Sequence, residues 1–426
     1  MKQYLTIAVI LLCCAPSFAA PLSLEECIDR GLSENPEIKA YQLAVEEAGE
    51  GIKEAWGAFF PTLSLNYGYN QLSNDSSGER DTDYLDQDSD SFSCRLSQPV
   101  FAGFSGVAGL KRARRSKQYR HYELKSMQQQ LVREIRTSFY DILRATALAE
   151  KWAGSIRRLE KQRRIAEAWC RQELAPRLRL LEVEVELSNA RQQLISAESS
   201  LAIARARLKE WLALDGDEPL DIAGSLEQEA ADPCTPLDAC LQFALDQRPE
   251  LHMMRLNIEI ARQDARVIAA RNLPQVSIDA GWTDYQRDYD DTRHPDDERD
   301  YYSVSINLSM KPFQGGRNLF AWRRQRLAVQ RLQHRQVKQR HAVTTEVKTR
   351  YQQLQEAHAR LTTAGDSILE AREAYRLAGR SADLGMISLN DLLDAELRLA
   401  RVEINMIDTR HALQIARIQL EYSVGN

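Results

Sequence analysis

One plan occurs twice along this sequence. Nine residues of the first half recur in the second half at a constant offset of 213 positions, so that Leu24 corresponds to Leu237 and Gly103 to Gly316. The other matched pairs are Cys27/Cys240, Pro36/Pro249, Glu37/Glu250, Pro61/Pro274, Ser64/Ser277, Gly68/Gly281 and Pro99/Pro312. This period is far longer than the roughly 20 to 50 residues of solenoid repeats. The fold is therefore expected to consist of two similar halves.

The repeat sets the boundaries of the predicted segments. Residues 1–19 have the features of a secretory signal peptide, because Lys2 precedes an apolar run and Ser17-Phe18-Ala19 provides a small-residue cleavage site. A lipoprotein signal is the weaker alternative, since Leu12 and Cys13 precede the two cysteines where a small residue is needed. We assign residues 20–214 to the first structural repeat, residues 215–236 to a connector, and residues 237–426 to the second repeat.

Each half carries a predicted β-hairpin, at about residues 62–101 and about residues 275–310. Strict alternation of apolar and small polar residues puts the apolar side chains of each strand on one face. The length and pattern match transmembrane β-strands, although a soluble sheet with one wet face alternates in the same way. The residues predicted to face lipid are Leu63, Leu65, Tyr67, Tyr69, Val276, Ile278, Trp282, Val304, Ile306 and Leu308.

A membrane crossing by this chain must use strands rather than helices. Past the signal peptide, no segment reaches the roughly 18 uncharged apolar residues of a membrane helix, and the mean hydropathy of −0.47 with 27% charged residues is that of a polar chain. Four strands cannot close a barrel, so several copies must share one.

Long helices follow each hairpin. The segments 106–174 and 317–384 contain no proline and are each long enough to span about 100 Å as helices. Each continues into a returning helix, giving helical hairpins at about 106–213 and about 317–423, with Pro176 expected at the first position of the first returning helix. The last helix has two apolar seams, which indicates neighbours on both sides. A closed ring of helices and a bundle with a filled core both fit that pattern.

Several function classes find no support in the sequence. The seven histidines are scattered, and no catalytic or phosphate-binding motif is present, so we assign no catalysis, no metal site and no cofactor. The net charge of −5 without a basic block argues against a nucleic-acid partner. Cys234 and Cys240 are close enough in sequence to form a disulfide, while burial of free thiols is the alternative. The acidic segments 74–91 and 288–300 are interpreted as solvated hairpin tips, with divalent-cation binding as a second possibility.

Three motifs resemble those of the TolC-like outer-membrane efflux protein family, and the resemblance covers nearly the whole mature chain. They are Gln98-Pro99-Val100-Phe101-Ala102-Gly103, its counterpart Pro312-Phe313-Gln314-Gly315-Gly316, and the segment from Leu384 to Ala395. The resemblance implies an α+β membrane protein: a homotrimer with four transmembrane β-strands per protomer in a twelve-stranded barrel, and long antiparallel helices forming a periplasmic α-barrel. It further implies an outer-membrane export duct, extending into the periplasm, of a tripartite efflux or type I secretion system. The expected partners are a periplasmic adaptor, an inner-membrane transporter and outer-membrane lipid.

The resemblance also implies a functional site at the helical turns. Asp391 and Asp394 match the acidic pair that lines the periplasmic entrance in the family, whereas Ile387 replaces an arginine often found there. The alternatives from the residues alone are a capping box between Ser388 and Asp391 and a solvated coiled-coil position for Asp394. In the first-half turn, Leu181 and Glu184 stand where a comparable acidic pair would fall. The candidates for adaptor contact are Leu384, Gly385, Met386, Ile387, Ala175 and Pro176.

A periplasmic coiled-coil adaptor is the main alternative outside the channel class. Such proteins carry one helical hairpin between β-rich domains, whereas this chain has a full-length duplication with two predicted strand pairs. The duplication therefore favours the channel.

Overall fold

A computed structural model describes residues 21–72, 87–173, 176–215, 220–227, 236–289, 297–384 and 386–425. The first repeat contains α1 (Leu24–Glu34), α2 (Pro36–Gly57), β1 (Thr62–Leu72), β2 (Gln87–Ala102), α3 (Ser105–Arg171) and α4 (Arg177–Trp211). The second contains α5 (Leu237–Gln247), α6 (Pro249–Ala270), β3 (Gln275–Tyr289), β4 (Asp297–Ser309), α7 (Arg317–Asp383) and α8 (Leu389–Val424). The same order of elements occurs twice, and the predicted fold class, long helices with a small antiparallel sheet in a duplicated chain, is confirmed.

The residues repeated between the halves explain the repeated breaks in structure. Pro36 and Pro249 each stand at the first position of a helix, where the missing N–H of proline is not needed. Gly103 and Gly316 both have a positive φ, +60° and +75°, at the junction between a strand and a long helix. A side chain is disfavoured in that conformation, and at Gly103 a Cβ atom would also lie 2.6 Å from the carbonyl oxygen of Ala270.

The four strands form one antiparallel sheet in the order β1-β2-β3-β4. The two hairpins are therefore joined by a direct ladder between β2 and β3, in which Cys94 lies opposite Trp282. The ladders also place Leu65 opposite Cys94 and Trp282 opposite Tyr302. Residues directly opposite each other share a face, so the apolar positions of all four strands lie on one side of the sheet.

The elements group into two compact units. The first unit comprises the chain up to Gln42, Leu124–Pro249 and the chain from Gln339 onward, and the second comprises Leu43–Glu123 and Glu250–Lys338. Each unit contains segments of both repeats; in the second unit, β2 of the first repeat pairs directly with β3 of the second. The compact units therefore differ from the sequence repeats.

The core of the first unit is built on α3. Leu131, Ile135, Phe139 and Ile142 are buried there, at the spacing of one helix face. Gly31 of α1 approaches this face so closely that a Cβ atom would collide with Ile135. The described part of the connector, residues 220–227, also joins this core through Leu220, and Ile222 forms a parallel bridge with Leu22.

The long helices α3 and α7 contain 67 residues each, about 100 Å at 1.5 Å per residue. Within the described ranges, no helix combines the length and the apolarity needed to span a bilayer. Pro176 was predicted to be the first residue of α4. It is instead the N-cap of that helix, with extended backbone at φ −68° and ψ 147°. A proline here can start the helix but cannot cap it through a side chain.

The structure tests only part of the predicted disulfide between Cys234 and Cys240. Cys240 takes part in a disulfide, whereas Cys27, Cys94 and Cys170 are free. Cys234, the predicted partner, lies outside the described residues, as does the predicted signal peptide. Of the predicted hairpin tips 74–91 and 288–300, residues 87–91, 288–289 and 297–300 belong to β2, β3 and β4, and the others lie outside the described residues.

Candidate functional site

The turn between α7 and α8 is closed by a capping box. The backbone N–H of Asp391 donates to Oγ of Ser388 at 3.2 Å, and the backbone N–H of Ser388 donates to Oδ2 of Asp391 at 2.9 Å. The Ser388 hydroxyl also donates to the same carboxylate oxygen at 2.7 Å. Two helix N-terminal amides are thereby satisfied. This is the arrangement that the spacing of Ser388 and Asp391 offered as an alternative to a pore role.

The capping box determines the ionisation of Asp391. The hydrogen bonds from the side chain and then the backbone of Ser388 lower the pKa of Asp391 below its ordinary value, and the positive charge of Arg179 acts in the same direction. A carboxyl group with a lowered pKa is ionised at neutral pH. Asp391 is also exposed, so it presents its negative charge to solvent.

Asp394 lies one helical turn further along α8, on the same face and equally exposed. Both aspartates line a groove between α7 and α8 that also contains Glu370, Arg398 and Arg401. Asp394 additionally borders a second groove, between α4 and α8, with Leu178, Leu181 and Val185 as apolar lining. The structure thus brings the two acids together, but with arginine side chains from the next turn beside them.

The turn residues predicted to contact an adaptor are largely exposed. Leu384 and Met386 have 73% and 72% of their surface accessible, and Pro176 is exposed as well, while Ile387 is partly buried. Gly385 and Ala175 lie outside the described residues. Exposed apolar side chains at the ends of helical hairpins are characteristic of interaction surfaces when they are contiguous.

Sequence reasoning missed a buried polar cluster between α3 and α8. Glu396 is wholly buried and accepts from Nε of Arg158 at 2.6 Å. One heptad further, Glu403 accepts from Nζ of Lys151 at 3.2 Å. The signal was present, because Glu396 and Glu403 continue the spacing of threes and fours set by Leu392, Leu399 and Met406 in one seam of α8. An acid at a seam position must find a buried partner.

The strand residues predicted to face lipid share one exposed face of the sheet. On this face, exposure is greatest in the two edge strands. The exposed residues are Leu63, Leu65, Tyr67 and Tyr69 in β1 and Val304, Ile306 and Leu308 in β4. Ile278 of β3 is exposed too, while Val276 and Trp282 are half-buried. The opposite face is polar, and Asp279 accepts there from Ser277 at 2.9 Å.

Aromatic residues cluster where the strands meet the helices, a second feature not predicted. They are Trp56, Phe59, Phe60, Phe104, Phe313 and Phe320, all exposed. Phe104 packs edge-on against Phe101, with 5.2 Å between ring centroids. The available signal was the repeated proline and phenylalanine, Pro99 and Phe101 at the end of β2 and Pro312 and Phe313 after β4.

The comparison with known proteins decides the family. The model of the family described as "Outer membrane efflux protein" matches residues 27–214 and again residues 240–426. The chain belongs to the outer membrane efflux protein family. The two matched segments follow the duplication seen in the sequence, so each structural half corresponds to one family repeat.

Similarity to individual members extends along nearly the whole chain. The outer membrane protein TolC of Vibrio cholerae is 20% identical over 411 residues, covering 95% of this chain and 90% of that protein. The alkaline protease secretion protein AprF of Pseudomonas aeruginosa is 26% identical over 186 residues, or 44% of this chain and 37% of that protein. The crystal structure of the Campylobacter jejuni CmeC outer membrane channel has the same fold, with a TM-score of 0.83 at 12% identity over 94% of this chain and 85% of that one.

Family membership establishes the general activity and location. This outer membrane efflux protein is an export duct of the efflux or secretion type, and it lies in the outer membrane and extends into the periplasm. The family is one of channels rather than of enzymes.

Proposed function

We propose that three copies of this chain assemble into one duct, each contributing β1 to β4 to a shared twelve-stranded barrel. The open sheet is the observation that carries this proposal. The outer edges of β1 and β4 pair with no other strand among the described residues. Unpaired edges of 11 and 13 residues are templates for further pairing, and joining β4 of one copy to β1 of the next would leave no edge open.

The lateral faces of the helices support the same assembly. Along α4, apolar side chains are exposed at helical spacing, at Leu178, Leu181, Val185, Ile195 and Ile203. Another apolar stripe of α4 is already buried, at residues such as Val183 and Leu187. The exposed stripe therefore indicates a second neighbouring helix. In a trimer, helices of an adjacent copy would cover this stripe and complete the ring of helices.

The aromatic residues at the strand–helix junctions support a boundary with outer-membrane lipid. Girdles of aromatic residues flank the apolar band of outer-membrane β-barrels at both interfaces with water. Trp56, Phe60, Phe104 and Phe313 stand immediately next to the strands. The sheet would then cross the bilayer, and the long helices would begin at its periplasmic surface.

We place the periplasmic entrance at the turns that carry Asp391 and Asp394. Three copies would gather six carboxylates at this end, and such a ring attracts cations. Asp391 also caps α8, so Asp394 is the acid whose electrostatic role can be tested without disturbing the cap. The exposed Leu384, Met386 and Pro176 beside it would form the surface for a periplasmic adaptor, which in turn would connect the duct to an inner-membrane transporter.

The mass of the detergent-extracted protein tests the assembly. A trimer is expected, and a stable monomer that keeps its β-sheet circular dichroism would contradict it. Adaptor contact is tested by mild crosslinking in cells followed by identification of the proteins retained. The double variant Leu384→Asp/Met386→Asp is expected to remain trimeric and to lose the adaptor, whereas Leu43→Asp, at a comparably exposed apolar residue of α2, is expected to retain it.

A further inference from the structure

A cavity of about 730 Å³ lies in the second compact unit, among α2, α3 and α6. Its lining residues are Val45, Ile52, Arg114, Arg115, Lys117, Gln118, His121, Tyr122, His252, Arg255, Leu256 and Glu259. This volume falls within the range of about 300 to 1,000 Å³ typical of small-molecule sites. Neither the capping box nor the proposed entrance involves any of these residues.

The charge of the cavity is strongly positive. Four guanidinium or ammonium groups line it, and Glu259 is the only acid among the lining residues. Glu259 is already engaged, because Nε of Arg115 lies 2.7 Å from its carboxylate. Arg114, Lys117 and Arg255 have no ion-pair partner in the part of the chain that the structure describes. Three uncompensated cations in one concave site are unusual in a chain of net charge −5, and they favour an anion.

The lining also has an apolar and aromatic part. Val45 and Ile52 of α2 and Leu256 of α6 contribute aliphatic surface. The rings of Tyr122 and His252 are stacked with 4.6 Å between centroids and only 7° between planes. Stacking holds both rings in place, so they provide a rigid surface at little cost in conformational entropy.

Lys117 of α3 reaches α2 at Gly49. A Cβ atom at this position would lie 3.4 Å from Nζ of Lys117, an ordinary van der Waals contact, so the ammonium group lies at the surface of α2. The positive charge of Lys117 is therefore next to the helix that supplies Val45 and Ile52 to the lining.

From these observations we propose that the cavity binds a soluble amphiphilic organic anion, that is, a sulfonate, carboxylate or phosphate attached to an apolar body. The acidic group would lie against Lys117, Arg114 and Arg255. The apolar body would contact the Tyr122–His252 stack and the aliphatic residues of α2. A ligand must therefore have both an acidic group for the cationic residues and an apolar body for the aromatic and aliphatic residues.

The distance from the strands favours a soluble anion over a lipid headgroup. Arg114 and Tyr122 lie roughly 14 and 26 Å along α3 from its start at Ser105, at 1.5 Å per residue. The headgroup layer on one side of a bilayer is only about 5 to 8 Å thick. The cavity is therefore beyond the reach of a headgroup if the bilayer ends at the strand–helix junction. Binding itself does not require the duct to conduct, so its failure would leave the trimer proposal untouched.

Equilibrium dialysis of naphthalene-2-sulfonate against the purified full-length protein in nanodiscs of zwitterionic lipid tests this proposal, with empty nanodiscs as background. Saturable binding of one probe per chain is expected. The double variant Lys117→Gln/Arg255→Gln is expected to bind at least tenfold more weakly. The neutral analogue naphthalene-2-sulfonamide is expected to lose affinity to a similar extent on the wild-type protein. Arg323→Gln, which removes an exposed charge of α7 outside the cavity, is the matched control and should bind as the wild type does.

Three outcomes would overturn the proposal. The first is the absence of saturable binding to the wild-type protein. The second is equal loss in Arg323→Gln and in the double variant Lys117→Gln/Arg255→Gln, which would indicate a general field effect. The third is displacement of the probe when phosphatidylglycerol replaces part of the nanodisc lipid, since the natural occupant would then be a lipid headgroup rather than a soluble anion.

Discussion

Arg158 donates a hydrogen bond of 2.6 Å from Nε to Oε1 of Glu396, whose side chain is wholly buried. This pair links α3 to α8, and Ser155 adds a weaker hydrogen bond of 3.4 Å to the same oxygen. The other oxygen, Oε2, is buried with no hydrogen-bond partner in the described part of the chain. The buried charge of Glu396 therefore relies on Arg158 for compensation.

Removal of Arg158 should be costly. Arg158→Met leaves the buried carboxylate unpaired, and loss of one partner of a buried pair costs about 3 to 5 kcal/mol of unfolding free energy. Replacing both partners, as in Arg158→Met/Glu396→Leu, should recover most of that loss, because the unpaired carboxylate of Glu396 is removed as well. Urea titration of the helical circular dichroism measures both. Arg171→Met, which breaks an exposed pair with Glu167, should cost no more than about 0.5 kcal/mol; similar losses in Arg158→Met and Arg171→Met would contradict the assignment.

Tyr375 should make the protein sensitive to alkaline pH. Burial, and next the negative charge of Glu396, raise the pKa of Tyr375 from 10.0 to about 12. Because the folded pKa is the higher one, the stabilising contribution is complete below about pH 10 and is lost as the pH rises through about 12. The fall in the urea midpoint across this window should be smaller in Tyr375→Phe than in the wild-type protein. Parallel falls in the two proteins would mean that Tyr375 does not contribute.

The capping box of Ser388 and Asp391 should make the stability of the protein sensitive to acid, whereas Tyr375 makes it sensitive to alkali. Ser388→Ala is expected to cost about 1 kcal/mol at neutral pH. The pKa of Asp391 is lowered by its bonds to Ser388, so its contribution is present above the ordinary value of 3.8 and is lost as the pH falls through the folded pKa. The difference between Ser388→Ala and the wild-type protein in urea unfolding should therefore shrink in acid. Asp394→Ala, at a residue outside the capping box, is the control and should change stability little.

The two faces of the sheet should respond differently to charge. Leu65→Arg places a charge on the exposed apolar face and is expected to cost about 2 to 4 kcal/mol near the bilayer midplane. Ser64→Arg, on the neighbouring residue, places the same charge on the polar face and should be tolerated. The yield of trimer in outer-membrane fractions measures both variants. Equal yields would show that the faces have been assigned wrongly.

The role of Asp394 at the entrance can be tested by conductance. In planar bilayers, Asp394→Ala should weaken block by multivalent cations added from the periplasmic side, because fewer carboxylates remain at the constriction. Arg398→Gln removes a positive charge from the same groove and should strengthen that block. If block is unchanged in Asp391→Ala, Asp394→Ala and their double variant, these acids do not line the entrance.

The faces of the sheet were predictable because strand geometry leaves little freedom. Alternation alone places Leu63, Leu65 and Tyr67 on one side of β1, whatever the strand pairs with. The pairing of β2 with β3 was not predictable in this way, because alternation is identical for every choice of neighbour. Contacts outside the strands bear on that choice: α3, which follows β2, and α6, which precedes β3, are linked by the ion pair of Arg115 with Glu259.

The site was partly predictable for a similar reason. A spacing of three places Asp391 and Asp394 on one helix face, and the spacing of Ser388 and Asp391 matches a capping box. Glu396 was missed because glutamate is nearly always solvated, and only a partner as long as Arg158, 238 positions away, allows it to be buried. The cavity around Lys117 depends on α2, α3 and α6 together, and no local pattern brings three separate segments into contact.

The ladder between β2 and β3 has a consequence for biogenesis. Cys94 cannot meet Trp282 until the ribosome has made α3, α4, the connector and the first part of the second repeat and the chain has been exported, so the sheet closes late and through contacts of very high contact order. Until then, the first hairpin has an apolar face and an unpaired edge in the aqueous periplasm. A chain truncated after the first repeat should therefore aggregate or be degraded, and productive assembly should depend on a holdase chaperone that protects the nascent hairpin.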